Sequence, residues 1–177
     1  MRLTNLQLIL KIAAFQIIFL LLHYSYEWFP NGVTRIFSAT DESVYQHMKV
    51  GFFSYILLAV GDYGLRQRSV NSRINFIYSR LFSVTILPLI MIIYFMTSPA
   101  FFVKIENIPL EILFANLVVA ATSFSTFLLE HHFEQAEPSR GLKIILILLV
   151  VFALLEFLIF TYRLPWFDIF AIPPGWE

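Results

Sequence analysis

Five apolar runs, each long enough to cross about 30 Å of hydrocarbon as a helix, dominate this chain. They lie at about Leu6–Tyr26, Ser43–Leu65, Ile77–Phe102, Pro109–His131 and Leu142–Tyr162. Lipid offers no partner to a backbone N–H or C=O, so each run is expected to satisfy its own groups as an α-helix. The chain is 59% hydrophobic and 14% charged, where soluble domains hold about 45–50% and about 25%, and this argues against a water-soluble fold. Its 177 residues leave room for one bundle and no second domain. The expected fold is all-α: a single integral membrane domain over residues 1–177, built as a five-helix bundle. The first run is too long for a signal peptide, Lys11 interrupts its basic end, and no small-x-small cleavage site follows, so it is expected to remain as a span.

Lysine and arginine give the direction of insertion. With five spans, the N-terminus, the Arg66–Arg80 loop and the Glu130–Lys143 loop share one side. That side carries Arg2, Lys11, Arg66, Arg68, Arg73, Arg80, Arg140 and Lys143, and the other carries Arg35, Lys49, Lys104 and Arg163. The excess predicts an N-terminus inside and a C-terminus outside, in a cell membrane. Trp28, Trp166 and Trp176 then fall on the outer side, as interfacial anchors do. The Pro- and Trp-bearing tail, residues 163–177, is apolar but too broken to span. It is expected at the outer interface or folded over the mouth of the bundle.

Several function classes drop out. A formal net charge of zero gives no basic face, so no nucleic-acid partner is expected. The chain has no cysteine, which removes disulfides, thiolate metal sites and iron–sulfur clusters. It has no nucleotide-binding loop, no His-Glu-x-x-His helix and no Gly-x-Ser-x-Gly elbow. No internal repeat of the kind found in secondary transporters is visible.

What remains are polar residues inside or beside the apolar runs. At helical spacing, Gln16, Leu20, His23 and Glu27 share one line. So do Ser43, His47, Gly51, Ser54, Leu58 and Asp62, and so do Asn116, Ala120, Ser123, Thr126 and Glu130. The small and hydroxyl members read as close helix packing in lipid. The ionisable members need partners, because an unpaired charge costs about 2.5–3.5 kcal/mol there. His23, His47, Asn116 and Glu156 fall at similar depth in the outer half, Glu156 about 9 Å from its helix end. They are expected to face one another. At the inner end Asp62, Arg66, Arg80 and Glu130 are expected to pair as a structural knot, with His131 and His132 solvated at the rim.

The stretch Ser38-Ala-Thr-Asp-Glu-Ser-Val-Tyr-Gln-His-Met-Lys49 is the most motif-like. Thr40 or Asp41 is expected to cap the second long helix, and Asp41 and Glu42 suit its N-terminal dipole. Ser43 and His47 are i, i+4 neighbours, close enough for a hydroxyl–imidazole hydrogen bond. The stretch resembles an uncharacterised family of small multi-pass bacterial membrane proteins with an Asn-Glu-Ser-x-Trp-Glu-His-x-Lys pattern. Glu42, Ser43, His47 and Lys49 match, while Asp41, Tyr45 and Gln46 replace Asn, Trp and Glu. The preceding His-x-x-Tyr-x-Trp (His23, Tyr26, Trp28) and the later Thr-Tyr-x-x-Pro (Thr161, Tyr162, Pro165) extend the resemblance. It implies a multi-pass topology in a bacterial inner membrane and assigns no activity.

Three functions fit these residues. One is a membrane hydrolase acting on a lipid-like substrate, with a divalent metal such as zinc or iron held by His23, His47 and Glu156. Glu42, Ser43 and Glu27 would then supply the fourth ligand or the catalytic groups. Another is an accessory subunit of a larger membrane complex, in which the polar cluster only fixes packing. The third is a proton-coupled carrier using His23 and Glu156 as a relay.

Overall fold

A computed structural model describes residues 4–66, 72–101 and 107–172. Six α-helices follow one another: α1 Asn5–Trp28, α2 Gly32–Phe37, α3 Val44–Arg66, α4 Arg73–Phe101, α5 Ile108–Gln135 and α6 Arg140–Phe160. One 3-10 turn, Asp168–Phe170, comes after them. All but α2 are long and apolar enough to cross a membrane. The 21 residues of α6 span about 31 Å, the thickness of the hydrocarbon layer.

The helix starts are set by side chains that accept the first free N–H groups. Thr4 and Gln7 form a capping box on α1, and Asn31 and Thr34 form one on α2. Asn107 caps α5, and Ser139 caps α6. Ser72 accepts from the Asn75 N–H, so α4 starts at Arg73 rather than at Ile77, the expected start of the apolar run. Ser43 does the same for α3, accepting from Gln46 N–H at 3.4 Å, while Asp41 accepts from Ser43 N–H at 3.0 Å. The α3 cap is thus Ser43 and not Thr40 or Asp41. The extra helix, α2, is too short to register as a periodic run.

In the bundle α4 packs against α5, α3 and α6, and α1 packs against α3 and α5. Phe15, Phe52, Tyr55, Leu87, Met91 and Phe127 fill the centre. Helix α6 lies at the edge, and only Leu146 and Phe157 on it are buried. The tail folds back as far as it is described: Phe170 is buried and its ring lies tilted against Tyr45 on α3, 4.5 Å between centroids. Lys49, expected near an interface, is fully buried instead. Its amine donates to the Arg35 carbonyl (3.0 Å) and the Thr161 hydroxyl (3.4 Å), near the C-terminal ends of α2 and α6, where helix dipoles favour a cation. Arg2, Arg68, Lys104 and Trp176 lie outside the described residues, as does the side chain of Arg66.

Gly51 sets the approach of α3 to α4. A Cβ there would meet Met91 Cε at 2.9 Å and Leu87 Cδ2 at 3.0 Å. Both atoms end flexible side chains, so Gly51→Ala is expected to cost little. Gly51→Val adds two methyl groups beyond that Cβ in a filled gap and should cost about 1–3 kcal/mol, read as a lower unfolding midpoint in detergent micelles.

Candidate functional site

At the end of the bundle where α1 finishes and α3 begins, the fold brings His23, Glu42 and His47 together. His23 sits one turn before the end of α1, His47 in the first turn of α3, and Glu42 in the link between α2 and α3. Their ligand atoms all lie within 4.8 Å of one another. His23 Nε2 is 3.2 Å from Glu42 Oε1, and His47 Nε2 is 3.6 Å from Glu42 Oε2. The imidazoles are buried, at 7% and 9% exposure, and the Glu42 side chain is 27% exposed. Phe19 stacks on both rings, and Phe95 packs against His47.

The loop that carries Glu42 is tied down from α3. The Gln46 amide donates to Thr40 Oγ1 at 2.8 Å and to Asp41 Oδ2 at 3.2 Å. His47 is oriented by its own helix: Nδ1 lies 2.9 Å from the Ser43 carbonyl. A carbonyl only accepts, so Nδ1 carries the proton. In the neutral ring Nε2 is then a bare lone pair pointing at a carboxylate oxygen. Two acceptors facing each other in a buried place need a cation between them, either a metal ion or a proton on the ring. His23 Nδ1 is buried and has no hydrogen-bond partner.

The other sequence candidates are placed differently. Glu27 is exposed on the last turn of α1, outside the cluster. The buried face of α1 runs through Leu8, Phe15, Phe19 and His23, which turns the Leu20–Glu27 side outward. Glu156 is also outside the group of three. On α6 the residue turned into the core is Phe157, and its neighbour Glu156 points about 100° away around the helix. Ser43 spends its hydroxyl on the helix cap and reaches His47 through its carbonyl. Asn116 lines the cavity beside the site, but its side-chain amide donates to the Ile112 carbonyl (2.8 Å), and its main-chain carbonyl accepts from Gln16 Nε2 (3.0 Å), joining α5 to α1.

A cavity of about 220 Å³ opens beside the three residues. Glu111, in the first turn of α5, lines it together with Tyr24 and Ser98. Glu111 is absent from the sequence candidates because an acid in a first helical turn reads as a dipole partner.

The opposite end of the bundle holds the ion knot. Arg80 reaches Asp62 (2.7 Å), Glu130 (2.9 Å) and Glu134 (2.9 Å), and Lys11 and the Tyr55 hydroxyl also contact Glu130. Asp62, Arg80 and Glu130 pair as expected, joined by Lys11, Tyr55 and Glu134. His132 is exposed, and His131 is hydrogen-bonded to Gln135 at 2.9 Å.

Comparison of the chain with family models, with curated proteins and with solved structures gives no match in any of the three.

Proposed function

We propose that this is a multi-pass membrane protein that holds one divalent metal ion at His23, Glu42 and His47 and uses it to hydrolyse a lipid-like substrate. The observation that carries the reading is the pair of His–Glu42 separations, combined with the His47 hydrogen bond. Donor atoms about 2.0–2.1 Å from a tetrahedral metal stand about 3.3–3.4 Å apart. The separations of 3.2 and 3.6 Å lie near that value, His23 facing one oxygen of Glu42 and His47 the other. Metal-binding histidines commonly donate their second nitrogen to a carbonyl, as His47 does to Ser43. Two imidazoles and one carboxylate suit zinc or iron and leave coordination positions for water or substrate. The metal would supply Lewis-acid polarisation and an activated water. The excess of lysine and arginine favours an inside N-terminus and places the site in the outer half of the membrane. The motif resemblance supports a bacterial inner membrane.

A second reading has its own observation. The 3.2 Å between His23 and Glu42 is also a hydrogen-bond distance, and a shared proton would satisfy the same three groups. Elemental analysis separates the two. Purified protein is expected to carry about one zinc or iron per chain, removable by chelator and lost in His23→Ala and His47→Ala. A metal content that is low and unaffected by both substitutions would leave the proton reading in place.

A further inference from the structure

The cavity beside the site says what it takes, given the metal-site reading on which this inference rests. At about 30 Å³ per water-sized group, 220 Å³ holds roughly seven such groups. That is enough for a carbonyl, its flanking ester or amide atom and a few methylenes. The rest of any larger substrate must lie outside. Leu20 on α1 and Ile112 on α5 line the cavity and are also exposed, at 37% and 39%. Both belong to helices long and apolar enough to span a membrane, so the space beyond them is suited to hydrocarbon chains. One turn further along each helix, Gln16 and Asn116 close the seam between α1 and α5.

Charge narrows the head group. Glu42 and Glu111 line the cavity, and no lysine or arginine does among the described residues. Phosphate heads are ordinarily met by arginine or lysine. Among the described residues the charged groups on the cavity wall besides the histidines are thus carboxylates, which repel a phosphate dianion and accept an uncharged head.

We propose that the site takes the acyl ester or amide end of an uncharged amphiphile, delivered from the bilayer between α1 and α5, with Glu111 carrying the proton. In the step, a water oxygen bonds to the acyl carbon while Glu111 accepts the water proton. The acyl C–O or C–N bond then breaks, and the leaving oxygen or nitrogen takes the proton back from Glu111. The products are a carboxylic acid and an alcohol or amine, with no redox partner.

The test uses the full chain in nanodiscs, loaded with zinc. Pyrene-labelled diacylglycerol, an N-acyl amide of the same chain length and the corresponding phosphatidate are compared by release of labelled fatty acid. The ester or the amide should be cleaved, and phosphatidate more slowly. Glu111→Gln should keep its zinc and lose about 10²–10⁴-fold in turnover. Leu20→Trp with Ile112→Trp should keep zinc and lose turnover of the bilayer substrate. Zinc retained without cleavage of either uncharged substrate, a preference for phosphatidate, or full activity in Glu111→Gln or in the double tryptophan variant would each overturn the proposal. Failure to bind zinc would instead remove the metal-site reading, and this inference with it.

Discussion

Replacing Glu130 with alanine is expected to cost about 3–5 kcal/mol, a large effect for a single change in this chain. Glu130 is 3% exposed and accepts from Arg80, Lys11 and Tyr55. Its removal leaves an ammonium and a phenol buried with fewer acceptors, in surroundings where water replaces them poorly. Arg80 keeps Asp62 and Glu134, so the greater part of the loss falls on Lys11 and Tyr55. Lys11 retains the longer 3.6 Å approach to Asp62 and its place over the Phe127 ring, 4.7 Å from the centroid. That asymmetry makes a sharper test than the single variant. Glu130→Leu combined with Lys11→Met removes both members of the pair with little change of volume, and should recover much of the stability. The measurement is the unfolding midpoint in detergent under increasing denaturant. Equal losses in the single and paired variants would mean that the carboxylate serves Arg80 and Tyr55 and that Lys11 adds nothing.

Much of this arrangement is legible in the sequence, and the parts that are not share a cause. The spans can be read because lipid imposes length and apolarity on any crossing helix. Depth along a helix can also be read, since each residue advances about 1.5 Å. His23 and His47 were expected at one level, and they meet. Rotation about the helix axis is less legible. Glu156 has a suitable depth, but the packing of Phe157 turns it away. Glu27 continues the line through His23, yet lies on the last turn of α1 and is exposed. Glu42 is outside every helix, so no periodicity could place it; only the tie from Gln46 to Thr40 and Asp41 shows how its loop is held.

That tie depends on complementary groups: Gln46 donates and Asp41 accepts across a contact 3.2 Å long. A glutamate at position 46 would set two carboxylates against each other. Lys11 shows the converse difficulty. In the sequence it only interrupts an apolar run, and its partner, Glu130, is 119 residues away.

Glu42→Gln is expected to weaken metal binding by about 100-fold or more, since even the loss of an outer partner of a metal ligand commonly costs 10–100-fold. The substitution preserves shape and removes the only anion among the three ligands, leaving two neutral imidazoles. The same change also tests the metal-free protein, through acid. The hydrogen bond from His23 holds the Glu42 carboxyl below the ordinary carboxylate range, with the His23 and His47 charges adding to it against the opposing push of burial. A depressed carboxyl stabilises the fold at pH above its unfolded value, and that contribution is lost as the pH falls through the depressed value. Metal-free wild type should therefore lose stability on acidification through that window, and Glu42→Gln should lose less. Titration with zinc against a chromophoric chelator reads the first effect, and unfolding midpoints between neutral and acid pH read the second. A proton held by the same three groups would produce the acid dependence without the zinc dependence. A metal site produces both, because Glu42 is then a metal ligand as well as the carboxylate held by His23.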